Sequence, residues 1–282
     1  MFPRAIQQAS KPKQVAYSLF LPIALFIWIL PLLAVFLTSV RGAKDINTGN
    51  VFGWPSEFKF VENYTAVFMQ TEAVKYFFNS FLITLPAVAI SIALACLAGY
   101  ALAIYRFRLA LPLFFLFVAG NFVPFQILMV PVRDMSVQTG LYNTIAGQFL
   151  FHAAFQTGFC TLFMRNFIKA LPFDLIESAR VEGVAEWRIF WYIIVPLVRP
   201  AIAALAVLIF TFVWNDFFGA NVLSQGEQVK PITAGVRALN GQFVSNWQLV
   251  SAASLLAAVP PVAMFFFMQK HFIAGLTLGA VK

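Results

Sequence analysis

Charge is scarce in this chain. Asp, Glu, Lys and Arg make up 11% of its 282 residues, against 61% hydrophobic and 17% aromatic. A soluble domain carries about 25% charge, so a fold surrounded by water is excluded as the main reading. Cysteine and histidine are scarcer still. Cys96 and Cys160 fall inside apolar runs, and His152 and His271 lie far apart. None has a partner at metal-ligand spacing, so neither a zinc site nor a disulfide framework is expected, and all four read as structural. There is no Gly-x4-Gly-Lys-Ser/Thr phosphate loop, so nucleotide chemistry is not expected of this chain. Ser/His/Asp, His-Glu-x-x-His and paired intramembrane Asp arrangements are missing as well, which ranks a membrane-embedded enzyme last.

What the chain does have is long apolar runs. Six stand out, at Tyr17–Val40, Phe77–Ile104, Leu109–Val132, Thr144–Met164, Leu197–Leu223 and Trp247–Met268. Each is near the roughly 20 residues that span a bilayer. They are continuous and lack period-2 alternation, so helices rather than barrel strands are expected. Pro22, Pro31, Pro86, Pro112, Pro124, Pro131 and the pair Pro260-Pro261 interrupt them and predict bends. Arg4, Lys11 and Lys13 precede the first run as in a signal peptide. A run of about 24 residues exceeds a signal h-region of 7–15, so it reads as a retained span.

The excess of 19 Lys+Arg over 11 Asp+Glu gives a net charge of +8. Among membrane proteins this reflects basic cytoplasmic loops rather than nucleic-acid binding. With the N-terminus inside, twelve basic residues lie in the cytoplasm and seven outside. The expectation is an all-α membrane protein with six transmembrane helices and both termini cytoplasmic. It divides into a tail at 1–16, a six-helix domain at 17–268 and a tail at 269–282. Within the domain, 41–76 is an external loop that packs short helices, and 165–196 is a cytoplasmic loop.

That cytoplasmic loop carries the densest charge. Pro172 suits a first helical turn, and Asp174 and Glu177 sit well at the positive helix end. Leu175, Ile176 and Ala179 form a small apolar face, and Glu177 and Arg180 can pair at i, i+3. Gly183 offers a left-handed cap, a second helix starts near Ala185, and Pro196 and Pro200 mark its end. An interfacial amphipathic helix would need no partner. Against that, Asp174, Glu177, Glu182 and Glu186 alternate with Arg180 and Arg188, a mixed face that suits a protein groove better than anionic lipid.

The segment resembles the EAA loop of ABC importer permeases: Glu177-Ser178-Ala179, Gly183 after three residues, then Ile193-Ile194-Val195-Pro196 after nine. Ser178 stands for Ala, Val195 for Leu, and Glu182 where Asp is commoner. Leu141–Thr144, Phe167–Pro172, Phe210–Phe217 and Phe272–Lys282 are also similar to the smaller permease of maltose-type systems, so the likeness covers most of the chain from Phe77 onward. The resemblance implies a type I ABC importer permease fold in the bacterial inner membrane. It implies a coupling helix in which Glu177, Ser178, Ala179, Glu182, Gly183, Ile193 and Pro196 serve a cytoplasmic ATPase. It further implies a second permease, two ATPase subunits that hold ATP and Mg, and an external solute-binding protein; this chain binds no cofactor itself.

Polar residues inside spans mark candidate translocation positions, or else bond neighbouring helices. They are Asn79, Ser80, Asn121, Gln126, Asn215 and Asp216, with Trp214 able to stack on a sugar face. Either reading applies to each. An ion-coupled transporter or channel would need a carboxylate relay, for which Asp216 is the one plausible member.

Overall fold

Apolar runs in lipid must satisfy their backbone groups internally, and the computed structural model is helical throughout its regular structure. It describes residues 6, 10–49, 53–239 and 246–278, with side chains of 238 and 270–278 excepted. Among the described residues β pairing is limited to one isolated bridge, Arg41 to Phe58. The chain divides into two units: Met1–Thr71 with Leu239–Leu256, and Glu72–Ala238 with Ala257–Lys282.

In the first unit, α1 (Lys11–Ser39) is a 29-residue helix with Pro22 and Pro31 inside it. The following segment is held by polar contacts rather than left loose. It contains α2 (Ala43–Asn47) and α3 (Phe60–Met69). Asn63 Nδ2 donates to the carbonyls of Ser39 and Arg41, each at 2.9 Å. Arg41 is buried and donates to the Gly53 carbonyl, while Asp45 accepts from Ser56 N and Oγ at 2.7 and 2.5 Å.

The second unit is built on α4 (Ala73–Ile104) and α7 (Ile145–Lys169), its most closely packed helix pair. Gly99 permits the approach: a Cβ there would lie 2.9 Å from Arg165 N and 3.0 Å from Met164 Cβ. Between them the predicted third span is broken. It forms α5 (Ala110–Gly120) and α6 (Phe125–Gln138), bent by 99°. Pro124 lacks the N–H to continue the first helix and begins the second in an extended conformation. Pro131 is accommodated inside α6.

After α7 come α8 (Asp174–Val181) and α9 (Glu186–Arg188). α9 runs into a wider π-helical stretch at Ile189–Ile194, then α10 (Val195–Leu197). Pro196 cannot donate to the carbonyl one α-turn back, and a wider turn accommodates the missing bond. α11 (Arg199–Trp214) then departs at 71°. The predicted fifth span stops at Trp214; α12 (Phe218–Leu223) and α13 (Ile232–Ala238) follow separately. α14 (Trp247–Leu278) carries Pro260 and Pro261 and continues past Met268, into the expected tail.

Among the described residues, α1, α4 and Trp247–Gln269 are each long and apolar enough to cross a membrane, and each bent pair adds one if it serves as a single span. The helix expected as the fourth span, α7, is 25 residues long but carries Gln148, His152, Gln156 and Arg165. Its share of polar side chains keeps it out of that set.

Candidate functional site

The segment after α7 is an anchored helix followed by a fixed bend. Ile176 is 1% exposed and Ala179 7%, so these two seat α8, while Leu175 stays 45% exposed. Glu177, Ser178, Glu182 and Gly183 face outward. Ala179 is therefore positioned to hold the helix from beneath rather than to present a surface. Gly183 has φ +76°. Its N–H bonds the Arg180 carbonyl, and Val184 N–H bonds Ala179, each at 3.0 Å. This paired closure is the Schellman motif, which uses up carbonyls a helix end leaves open. Ile193 and Pro196, both half-buried, lie in the stretch leading to α11 and not on the exposed face of α8.

Arg180 does not pair with Glu177. It reaches across the bend to Glu186, Nε to Oε1 at 2.6 Å and Nη2 to Oε2 at 3.3 Å. Tyr100 and Tyr105 hydroxyls donate to the same Oε2 at 2.8 and 2.7 Å. Four bonds thus converge on one carboxylate and tie the loop to the end of α4. The Arg180 guanidinium holds the Glu186 carboxyl down to about 2 against partial desolvation, with help from Tyr105 and Tyr100. Glu186 in turn pushes Arg180 up. Partial burial, and then Glu186, raise the Tyr105 phenol.

The candidate path residues divide. Asn79 is buried, and its Nδ2 donates to the carbonyls of Gln228 and Lys230 at 3.0 Å each. Ser80 accepts from Ile232 N at 2.8 Å, and Gln148 donates to Val229 O at 2.9 Å. Asn79 belongs to the set that pins the segment between α12 and α13. Trp214 is 1% exposed, stacked on Phe210 at 5.4 Å with Phe81 edge-on at 4.8 Å. Its Nε1 donates to Ala257 O at 2.9 Å. No open ring face remains for a sugar in this conformation. Gln126 is exposed on the first turn of α6.

Asp216 lines two cavities, one with Asn121 and the other with Asn215, while both amides donate back to their own helices, Asn121 to Phe117 O at 2.7 Å and Asn215 to Thr211 O at 2.9 Å. A cavity of about 390 Å³ is lined by Asn121, Phe151, His152, Phe155, Gln156 and Asp216 among others. A second, of about 740 Å³, shares Phe125, Phe212 and Asp216 with it and adds Asn215. Asp216 caps α12, accepting from Gly219 N and Ala220 N at 3.1 Å each, and its Oδ2 lies 3.3 Å from His152 Nε2. Amides, a carboxylate and phenyl walls are suited to a polyhydroxylated solute with an apolar ring face.

Sequence reasoning missed His152 and Gln156. With Gln148 they recur every four residues on α7, a polar stripe on one face of an apolar helix. That spacing was the available signal. For the convergence on Glu186 there was none, because Tyr100 and Tyr105 are 86 and 81 residues away in sequence.

Comparison with known proteins gives a consistent result. The family described as "Binding-protein-dependent transport system inner membrane component" matches residues 72–277. The osmoprotective compounds uptake permease protein of Synechocystis sp. is 38% identical, covering 91% of this chain and 88% of its own length. The lactose transport system permease protein of Rhizobium radiobacter is 31% identical, covering 96% and 97%. The arabinooligosaccharides transport system permease protein of Halalkalibacterium halodurans is 32% identical, over 91% and 92%. Among solved structures, a chain of a bacterial ABC transporter importing the acidic polysaccharide alginate superposes with a TM-score of 0.81 at 21% identity, covering 96% of this chain and all of that one.

Proposed function

Because the chain belongs to the binding-protein-dependent transport system inner membrane component family, as an all-helical ABC transporter permease subunit whose ATP hydrolysis resides in a separate subunit, we propose that it forms one half of the path of a sugar importer. The relatives named for lactose and arabinooligosaccharides support a carbohydrate cargo, and the one named for osmoprotective compounds keeps other small polyhydroxylated solutes within the class. A second permease completes the path. Two ATPase subunits, which hold ATP and Mg, dock from the cytoplasm of a bacterium, and an external binding protein delivers the solute. The six spans are α1, α4, the α5–α6 pair, α7, α11 and α14, with both termini inside.

The observation that carries this reading is α8. A coupling element must transmit displacement, so it needs a presented face and a rigid seat. Glu177, Ser178 and Glu182 supply the face, while Ile176, Ala179, the Gly183 closure and the Glu186 bonds supply the seat. Asn121, Asn215 and Asp216, joined by His152 and Gln156, line the solute path. Asn79 and Trp214 keep the surrounding helices in register.

The test is uptake by the complete importer in proteoliposomes, against a panel of sugars and polyols. ATP-dependent accumulation of one of them, insensitive to collapse of proton and sodium gradients, is expected. Uptake without nucleotide, driven by an ion gradient, would overturn the assignment of the motor.

A further inference from the structure

A cavity of about 720 Å³ opens beside the short connection between α4 and α5, apart from the solute path. Arg106 and Arg108 line it from that connection, and Arg165 and Lys169 from the last turns of α7. No Asp or Glu lines it. Among the described residues none of the four cations enters an ion pair. Arg165 is fixed by other means: its guanidinium lies 3.9 Å from the Phe114 ring centroid, and its Nε donates to Leu102 O at 3.4 Å. The nearby carboxylate of Glu186 is already bonded by Arg180 and two tyrosines.

Compensation inside the protein is incomplete. The C-terminal ends of α4 and α7 each contribute roughly half a negative charge. Set against four cations, that leaves about three positive charges facing one concavity. Apart from Tyr105, its remaining wall is apolar, with Leu102, Leu111 and Ile168 among others. From its rim runs α5, which buries none of its residues and exposes Leu111, Phe115 and Leu116 by more than half.

We propose that this cavity is a binding site for an anionic phospholipid, with the phosphate among Arg106, Arg108, Arg165 and Lys169 and an acyl chain along α5. A basic pocket opening onto an apolar helix face matches an amphiphile that carries both parts. A free phosphate or nucleotide would satisfy the cations and leave the face of α5 without a role. The site adjoins the start of α8 through Leu171 and Phe173 and rests on the reading of the α5–α6 pair as a membrane span, but its occupancy is measured without transport.

The experiment uses the complete importer, extracted from bilayers of phosphatidylcholine with a minor share of phosphatidylglycerol, and counts retained lipids by native mass spectrometry. Wild type is expected to retain phosphatidylglycerol selectively. Arg106→Gln with Arg108→Gln, both exposed side chains, should weaken retention by about 25-fold, at roughly fivefold per cation. Arg106→Lys with Arg108→Lys should preserve it, showing that charge is what is read. Equal retention in wild type and the Gln variant would overturn the proposal. So would displacement of the lipid by inorganic phosphate or ATP as effectively as by added phosphatidylglycerol, which would make this a free-anion site.

Discussion

Glu186 does for the loop what its motif residues do not: it joins α8 to α4. Both side chains of its pair with Arg180 are partly exposed, 42% and 32%, so screening limits the pair to about 1 kcal/mol. Glu186→Gln should therefore raise hydrogen exchange of the α8 amides about fivefold, roughly the factor 1 kcal/mol represents. The protein should remain folded. The carboxyl is depressed to about 2 from an ordinary 4.5. Its contribution is then complete above about pH 4.5 and is lost as pH falls through 2. A carbon-13 titration of the Glu186 carboxyl should accordingly show no midpoint near 4.5. Gly183 makes a separate case. No atom lies within 4 Å of a Cβ built there, so Gly183→Ala is penalised only by its left-handed backbone. A loss of about 1 kcal/mol, read as a lowered melting temperature of the purified subunit, is expected.

Among elements, the α4–α7 pair depends most on a single position. Gly99→Leu would drive a side chain into the backbone of Arg165 and the Cβ of Met164. Overpacking of this kind costs about 1–3 kcal/mol, and here it would also displace the end of α7 that feeds α8. Reduced yield of assembled complex in detergent, with insertion intact, is the expected result. The long helices were legible because continuous apolar runs admit little else in lipid. The bend at Gly183 was legible because few residues other than glycine adopt its backbone conformation without strain. The break between α5 and α6 was legible only as a proline bend; its 99° angle depends on what the two halves pack against. The π-helical stretch at Ile189–Ile194 had no sequence signal beyond Pro196. Arg180 illustrates the limit for side chains: local spacing offered Glu177, and tertiary structure supplied Glu186 and two tyrosines. Asn79 and Trp214 show the same limit in the path, since a polar or aromatic residue in a span looks alike whether it meets solute or a neighbouring helix.

For the whole molecule, the basic residues predict which side each loop occupies. Cys96 and Cys160 are both buried, so single cysteines introduced by Lys59→Cys and Glu177→Cys would dominate labelling by an impermeant maleimide. The first should react from outside intact cells and the second only after the membrane is opened. Reaction of both from the same side would refute the six-span arrangement. If exposed side chains on an anchored α8 convey ATPase closure to the path, the amount of solute transported per ATP hydrolysed depends on them. In proteoliposomes containing the complete importer, Glu177→Lys should leave the chain inserted and hydrolysis measurable while that ratio falls at least tenfold, the equivalent of about 1.4 kcal/mol of lost coupling. An unchanged ratio at normal uptake would show that α8 does not carry the coupling.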